Sequence, residues 1–401
     1  MNLTKSLYKK FGLGLAVVMG SAMMLGACGD NTATPVPAAT TAAATTAAVA
    51  TTASGATGAK ADLSAAKGCK NVAILLPETD SSFRWEALDR PLLQQEIAAA
   101  IPGATIQYSN ASNNADTQQN QAEAALTKGA CILVVGAKDG DKASAIVQKA
   151  KAAKVPVIAY DRLIQDNDLA YYVSFDNVKV GELQGQWLAD QYKAGNYGLK
   201  KGAKLAMING GQTDNNALLF RQGALNKLKP LVDSGDLTLV YDQYTPDWDN
   251  AKAQTLMEGV LTAQKNDLQI AYVANDGMAN TVIAALRAQK LNGKVPVTGQ
   301  DASDDGIKNI ITGDQGMTVY KAIPLEAKAT GQLVAALAAG TDPGSIINGK
   351  TKTKGGVDVP SVLAVPVTVT KDNIVSTVFK DGFVKKENAC KGLPAGTGGI
   401  C

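Results

Sequence analysis

The sequence predicts two α/β units, each built on a parallel sheet that is covered by helices on both faces. Two observations predict this fold class. From residue 70 onward, short apolar runs alternate with longer amphipathic segments, and the alternation starts again near residue 204. Short apolar strands linked by segments of helical length are typical of parallel sheets buried on both faces. At 401 residues the chain is long enough for two medium domains.

The first unit begins with the apolar run NVAILL and contains five such runs. Each run has the length of a buried strand, and the segments between them show the wider spacing of amphipathic helices. The predicted strands are 71–76, 104–109, 131–136, 156–160 and 171–175, and the predicted helices are 82–98, 115–129 and 139–153.

The second unit repeats this architecture without repeating the sequence. A last helix, 324–339, precedes an apolar alternating run, VLAVPVTVT, that predicts a strand at 362–370 and a short helix at 371–378. The other predicted strands are 204–209, 237–242, 269–274, 295–299 and 316–320, and the other helices are 179–193, 215–228, 249–264, 277–289 and 304–312.

The first 27 residues have the order of parts of an export signal. Lysines at positions 5, 9 and 10 precede an apolar run at 11–24, which is too short to span a bilayer at about 20 residues. The following Leu-Gly-Ala-Cys looks like a bacterial lipobox, which implies that Cys28 is the first mature residue and carries diacylglycerol. The alternative is an ordinary cleaved signal with an incidental cysteine.

Residues 28–68 predict a lipid-anchored linker. Most of the segment is Thr, Ala, Pro and Gly without aromatic residues, so it buries too little apolar area to fold by itself. We expect it to tether the folded part to the membrane.

Export places the other four cysteines in an oxidising compartment. Cys69 and Cys131 each precede a predicted strand, and neighbouring parallel strands would bring them to the same end of a sheet. Among the three possible pairings we therefore predict Cys69–Cys131, and by elimination Cys390–Cys401.

Composition excludes several classes of function. The chain has no histidine, which excludes Ser-His-Asp and Cys-His catalysis and histidine-ligated metal sites. Its net charge of +3, without a basic block, does not suggest a nucleic-acid partner. Neither unit has a Gly-rich phosphate motif, and GAKDGDKA at 136–143 lacks the spacing of a calcium loop, so it predicts a turn. The sequence predicts no enzyme, no cofactor and no metal.

Polar side chains recur where the predicted strands end. In parallel sheets these ends share one edge, where ligands bind, so two facing units would bring them to one cleft. Carboxylates, amides, cations and two indoles suit a sugar, with its hydroxyls and its flat C–H face. The candidates are Arg84, Trp85, Asp161, Arg162, Asn216, Trp248, Asn275, Asp301 and Lys321.

Each candidate also has an ordinary structural interpretation. Asp161 and Arg162 could form a local ion pair, Asn216 and Asn275 could begin helices, and Lys321 could be solvated. The recurrence of such residues at one structural position is what favours a binding site. Asp176 and Asn177 end a strand in the same way, but their position between the units predicts a hinge instead.

Long motifs resemble the bacterial periplasmic sugar-binding proteins of ABC transporters. They are AYDRLIQDNDLAYYVSFDNVKVGELQ, TDNNALLFRQGALNKLKPLVDSGDL, VANDGMA, VTGQDA and MTVYKAI, and the resemblance spans residues 71–385. It implies a type I periplasmic binding protein with two lobes, a three-crossover hinge and a ligand cleft between them. It assigns the nine candidates to sugar contacts, with Trp85 opposite Trp248. The loop PETDSSF at 77–83, which includes Glu78, departs from the family pattern.

The resemblance also implies the organisation and the role of the chain. The expected ligand is D-xylose or a related monosaccharide, captured by a monomer when the lobes close and then delivered to a membrane permease. A sensory receptor is the alternative, while a glycosidase using Asp161 and Asp301 or a repressor is disfavoured. The expected divisions are 1–27, 28–68, a first lobe of 69–177 plus 321–360, a second lobe of 178–320 plus 361–388, and a tail of 389–401.

Overall fold

The computed structural model of the protein describes residues 64–79 and 81–401. The expected export signal, Cys28 and most of the expected linker, 28–63, lie outside the described residues. Within the described part, no helix is both long enough and apolar enough to cross a bilayer.

Most strands form where the apolar runs predict them, because β-branched and aromatic side chains pack well on a buried sheet. The strands of the described part are β1 (Asn71–Leu76), β2 (Thr105–Asn110), β3 (Ile132–Val135), β4 (Val157–Tyr160), β5 (Tyr171–Phe175), β6 (Ala203–Asn209), β7 (Leu237–Tyr244), β8 (Ile270–Val273), β9 (Thr318–Tyr320), β10 (Gly349–Lys352), β11 (Asp358–Ala364) and β12 (Val367–Val369).

Side-chain caps set the start of several helices, since an Asp, Asn or Ser oxygen accepts a backbone N–H of the first turn. A π-helical turn, Trp85–Asp89, leads into the first α-helix. The α-helices are α1 (Arg90–Ala100), α2 (Ala115–Thr127), α3 (Ser144–Ala152), α4 (Asn177–Lys193), α5 (Asn215–Asp233), α6 (Asn250–Ala263), α7 (Asp276–Ala288), α8 (Asp304–Thr312), α9 (Ile323–Ala339) and α10 (Lys386–Ala389).

The first lobe is the part built on a seven-stranded sheet of order β10-β11-β5-β4-β3-β1-β2. All its pairings are parallel except β10 with β11. Alternate residues of β1 pack into two different cores, one holding Ala73 and Leu75 and the other holding Val72, Ile74 and Leu76. Helices α2 and α3 cover the first core, and α1 and α9 cover the second, as expected for a parallel sheet buried on both faces.

The second lobe contains a three-stranded parallel sheet of order β7-β6-β8 and a separate antiparallel pair, β9 with β12. Its main core joins this sheet to helices α4 to α7. The predicted strand at 295–299 is wrong as a full strand: only Val297 forms a bridge, to Ala271.

The predicted strand at 362–370 is two strands in different lobes. β11 pairs with β5 in the first lobe, and β12 pairs with β9 in the second. Val365 and Pro366 connect them, and proline cannot donate a ladder hydrogen bond. Residues 361–364, which the expected division placed in the second lobe, therefore continue a strand of the first sheet.

Two cysteine pairs lie at disulfide distance. The sulfur atoms of Cys69 and Cys131 are 2.04 Å apart, and those of Cys390 and Cys401 are 2.07 Å apart. These are the two pairs that the sequence predicts. The second pair closes a tail that packs on α8, where Lys308 Nζ donates to the carbonyl of Lys391 at 2.8 Å.

Candidate ligand-binding site

All nine predicted site residues line one cavity, which lies between the lobes and opens partly to solvent. Asp161 directly follows β4, Lys321 directly follows β9, and Asn275 lies two residues after β8. The carboxyl ends of strands from both lobes therefore face each other, as the strand-end argument predicts. Sequence reasoning did not select five further lining residues, which are Ser81, Ser82, Asp214, Phe220 and Gln300.

A buried ion cluster forms one wall of the cavity. Asp161 Oδ2 accepts a hydrogen bond from Arg84 Nη1 at 2.6 Å and another from Lys321 Nζ at 2.9 Å. Asn216 on α5 donates to the Asp161 carboxylate at 3.1 Å from the opposite lobe. Burial by itself would raise the pKa of Asp161, but Arg84 and Lys321 outweigh it and hold the pKa below its usual range. Asp161 is therefore a charged acceptor with a fixed orientation.

The Arg84 guanidinium is held from behind by two carboxylates that do not line the cavity. Asp89 accepts from Nε at 2.8 Å and from Nη2 at 2.7 Å, and Glu326 accepts from Nη2 at 2.8 Å. Tyr160 also donates to Asp89, at 2.5 Å. Burial and the nearby Asp161 raise the pKa of Glu326. Sequence reasoning missed Asp89 and Glu326 because both lie inside helical segments, where a carboxylate usually faces solvent.

Arg162 does not join the Asp161 cluster but pairs with two other carboxylates. Its Nε lies 3.2 Å from Asp214 Oδ2, across the cleft, and its Nη2 lies 3.5 Å from Glu78 Oε1. Glu78 also accepts the indole N–H of Trp85 at 2.6 Å. Arg162 is thus paired with neighbours outside its own dipeptide, and the local Asp161–Arg162 pair is absent among the described contacts. The divergent loop at 77–83 contributes directly to this network through Glu78.

The two indoles differ in their surroundings. The guanidinium carbons of Arg84 and Arg162 lie 4.7 and 5.0 Å from the ring centre of Trp85, so this ring already makes cation–π contacts. Trp248 contacts Phe220 edge to face, with centroids 6.2 Å apart. A Cβ on Gly210 would lie only 2.2 Å from the Trp248 ring, so glycine is what lets this indole pack so closely. Trp248 is the better placed of the two for stacking.

Several site residues have a left-handed backbone conformation. Asp161 has φ of 59°, Trp248 has 58°, its neighbour Asp247 has 61°, and Asp301 has 99°. Non-glycine residues rarely adopt such values, and strained conformations of this kind cluster at binding sites. The surrounding fold holds these side chains in orientations that a relaxed backbone would not give.

Asn275 and Asn177 have structural roles at the site. The Asn275 side chain caps α7 by accepting from the Met278 N–H at 3.0 Å, while still lining the cavity. Asn177, at the start of α4, donates to Asn216 Oδ1 at 2.8 Å and so orients the Asn216 amide. The helix-cap interpretation of Asn275 is thus correct, and it does not exclude the residue from the cavity.

Asp301 lines the cavity without a cation at salt-bridge distance among the described contacts. Its carboxylate accepts a hydrogen bond from Ser82 Oγ at 3.2 Å, across the cleft. Burial raises the pKa of Asp301 to about 6, although Lys321 and Arg84 favour its charged form. In neutral solution the group is an ionised acceptor that is free to take additional donors.

Replacement of Asp301 with asparagine is expected to stabilise the protein above pH 6 and to change little at pH 4. The unfolded-state pKa is about 3.9, so the folded protein binds more protons between pH 4 and 6 and its stability falls as pH rises. The amide does not ionise and avoids this loss, which is at most about 3 kcal/mol. Denaturant unfolding at pH 4 and pH 7.5 measures the difference. The exposed Asp305→Asn on α8 is the control, and parallel pH profiles for Asp301→Asn and wild type would contradict the prediction.

The fold and the cavity define a class of protein: two α/β lobes with a polar cavity between the carboxyl ends of their strands. A family model described as a periplasmic binding protein domain matches residues 72–342. The chain belongs to the periplasmic binding protein family. Its relatives are solute receptors, and the chain is accordingly an extracytoplasmic binding protein and not an enzyme.

Within the family the chain is similar to sugar-binding proteins of ABC-type transport. It is 41% identical to the D-xylose-binding periplasmic protein of Escherichia coli over 76% of this chain and 88% of that protein. It is 36% identical to the multiple sugar-binding periplasmic receptor ChvE of Rhizobium radiobacter over 81% of this chain and 93% of that one. An ABC transporter solute-binding protein from Clostridium phytofermentans with bound β-D-glucose superposes with a TM-score of 0.73 at 28% identity, covering 80% of this chain and all of that chain.

Proposed function

We propose that the protein captures D-xylose, or a closely related monosaccharide, and delivers it to an ABC transporter permease. The observation that carries this proposal is the convergence of all nine predicted residues, each of them buried, on one cavity between the lobes. The similarity to a D-xylose-binding protein over most of both chains supports the choice of sugar.

The chemistry of the cavity fits a small neutral polyol. Asp161 and Asp301 supply carboxylate acceptors, Arg84, Arg162 and Lys321 supply donors, and the amides supply both. The Trp248 face is apolar and suits the C–H side of a sugar ring. A sugar that lacks one hydroxyl would leave a buried partner unpaired, which costs about 1–3 kcal/mol and so gives specificity.

Capture follows from contacts that both lobes make. The first lobe contributes Arg84, Asp161 and Arg162, and the second contributes Asn216, Trp248, Asn275 and Asp301. A ligand that contacts both lobes binds the closed form better than the open form, so it shifts the population toward closure. We assign the hinge to the three connections near 176–179, 320–324 and 365–366, which places residues 361–364 in the first lobe.

We propose that Cys28 carries a lipid anchor and that the segment at 28–68 tethers the monomeric binding unit to the membrane. Mass spectrometry of the mature N-terminus tests the anchor, and an unmodified Cys28 would contradict it.

Calorimetry of the purified protein against a sugar panel tests the ligand. D-Xylose is expected to bind most tightly, with other pentoses and D-glucose weaker. If none of the pentoses binds, the xylose assignment fails, and tight binding of a hexose alone would reassign the ligand.

Trp248→Ala is expected to weaken sugar binding about five- to thirtyfold, because an aromatic face against a ring contributes on the order of 1–2 kcal/mol. Trp248 is only 6% exposed and belongs to the core of the second lobe, so the free energy of unfolding should also fall, by about 3 kcal/mol. Trp187→Ala is the matched control, since Trp187 packs on the same core but does not line the cavity. Unchanged affinity of the folded Trp248→Ala protein would contradict a stacking role.

A sensory role is the second candidate. One relative carries the name of a receptor, the ChvE protein described above. A sensory protein would bind the same sugar but pass its closed form to a signalling partner. Loss of D-xylose uptake on deletion of the gene supports transport, whereas intact uptake with a lost transcriptional response to D-xylose favours sensing.

A further inference from the structure

A set of polar contacts joins the two lobes outside the ligand cavity. Lys138 Nζ donates to Asp247 Oδ1 at 2.9 Å, and the Gly140 N–H donates to the carbonyl of Thr213 at 3.0 Å. Gln165 Nε2 donates to Asn215 Oδ1 at 3.2 Å. None of these residues lines the cavity. They connect the loop at 136–143 and Gln165 of the first lobe with two turns of the second lobe.

Hydrogen bonds within the first lobe hold the loop at 136–143 in the conformation that contacts the second lobe. Gln118 on α2 accepts the Lys138 N–H at 2.9 Å, and Asp139 accepts the N–H groups of Asp141 and Lys142 at 3.0 Å. A Cβ on residue 140 would lie 2.7 Å from the Leu163 carbonyl, so glycine is needed for this approach. The loop at 136–143, which the sequence predicts as a turn, is therefore a hydrogen-bonded platform that presents Lys138 and the Gly140 amide.

Hydrogen bonds within the first lobe also hold Gln165. Its amide oxygen accepts the Lys354 N–H at 2.8 Å, and its backbone N–H donates to the Gly140 carbonyl at 2.9 Å. The platform and Gln165 are thus one unit, held together by contacts within the first lobe.

In the second lobe, the residues that make these contacts are next in sequence to residues that line the cavity. Thr213 and Asn215 flank Asp214 and precede Asn216, and Asp247 directly precedes Trp248 in a left-handed turn. Contacts at these positions therefore act on the backbone that orients the amide and the indole of the cavity. Lys138 is 8% exposed while the Asp247 side chain is 46% exposed, so the pair is accessible to salt.

We propose that the 136–143 loop and Gln165 form a closure latch that sets ligand affinity without touching the ligand. The inference rests on the proposed capture of a sugar by lobe closure. The observed affinity is the intrinsic affinity of the closed form multiplied by the fraction of ligand-free protein that is closed. A contact that is made only in the closed form increases this fraction. It therefore raises the affinity for every ligand by the same factor. Lys138 and Gln165 are positioning residues for the turns that carry Trp248 and Asn216.

Lys138→Met tests the latch. We expect sugar affinity to fall about two- to fivefold at low salt, through faster dissociation, with the order of preference among sugars unchanged. The wild-type affinity for the neutral sugar should decrease from 0.05 to 1 M NaCl, because salt screens the exposed pair, and the variant should have lost this dependence. Lys142→Met is the matched control, since Lys142 lies in the same loop but pairs with Asp116 of its own lobe at 3.8 Å.

Hydrogen exchange provides a readout that needs no ligand. The Gly140 amide should exchange faster in ligand-free Lys138→Met and Asp247→Asn than in wild type, and the double variant should resemble the single ones. If no sugar binds the wild type, the proposed function fails, while amide exchange still decides the latch. Unchanged Gly140 exchange in Lys138→Met, or an equal loss of affinity in Lys142→Met, would overturn the latch.

Discussion

Replacement of Asp161 with asparagine is expected to abolish sugar binding and to lower the free energy of unfolding by about 3–5 kcal/mol. The carboxylate neutralises Arg84 and Lys321, which have side chains only 3% exposed. An amide leaves both cations buried with less compensation, and it also removes the charged acceptor that two donors and the Asn216 amide orient. Urea unfolding and calorimetry at pH 7.5 measure the two effects.

The pH dependence of this loss has a definite sign. Arg84 and Lys321 hold the pKa of Asp161 below its unfolded value, so its stabilising contribution is complete above about pH 5 and disappears only in strong acid. The difference between wild type and Asp161→Asn should accordingly be constant from pH 5 to 8. Asp168→Asn is the control, because Asp168 makes contacts of a surface residue, with Lys151 at 2.8 Å and with Gln148 at 3.0 Å. A stable Asp161→Asn protein that binds the sugar would refute the role of the cluster.

Replacement of Gly181 with alanine is expected to lower the free energy of unfolding by about 3 kcal/mol or more. Helices α4 and α5 cross so closely that a Cβ on Gly181 would lie 1.9 Å from the Phe220 carbonyl oxygen. Overpacking a core costs about 1–3 kcal/mol, and here the obstacle is backbone that cannot rotate away. Phe220 also lines the cavity, so sugar affinity should decrease in the fraction that folds.

The chain offers a matched control for this prediction. Gly259 is an exposed residue of α6, and a Cβ there would meet nothing within 4 Å. Gly259→Ala should therefore raise stability by about 0.5–1 kcal/mol, as alanine does in a helix interior. Thermal and denaturant unfolding of both variants would show opposite shifts. Similar stabilities for the two variants would contradict the close crossing of α4 and α5.

Periodicity and strand ends in the sequence predict most of the fold and the membership of the cavity. Apolar runs of strand length between amphipathic segments are decided by local preference and by burial on both faces of a sheet. Asp161, Asn275 and Lys321 were identifiable because a polar residue directly after a buried run must lie at the sheet edge. The edge strand β10 was missed, since its sequence, GKTK, is polar and carries the lysines typical of exposed edges.

Other features depend on contacts between residues that are far apart in the chain. Glu326 is 242 residues from the Arg84 that it holds, and Lys138 is 109 residues from Asp247. No local pattern marks either residue, because an acid in a helix and a lysine in a turn usually face solvent.

The sequence by itself determined the α/β class, most of the order of strands and helices, the two cysteine pairs and the candidate site residues. Hydrophobic periodicity and the residue types at strand ends are local properties, so they can be recognised in the sequence without knowledge of tertiary contacts. Only the tertiary structure decided how those residues are paired: Asp161 with two cations, Arg162 with Asp214 across the cleft, and one apolar run divided between two lobes at Pro366. These outcomes depend on which buried charges and backbone groups meet once both lobes have folded, and that is a property of the packed molecule.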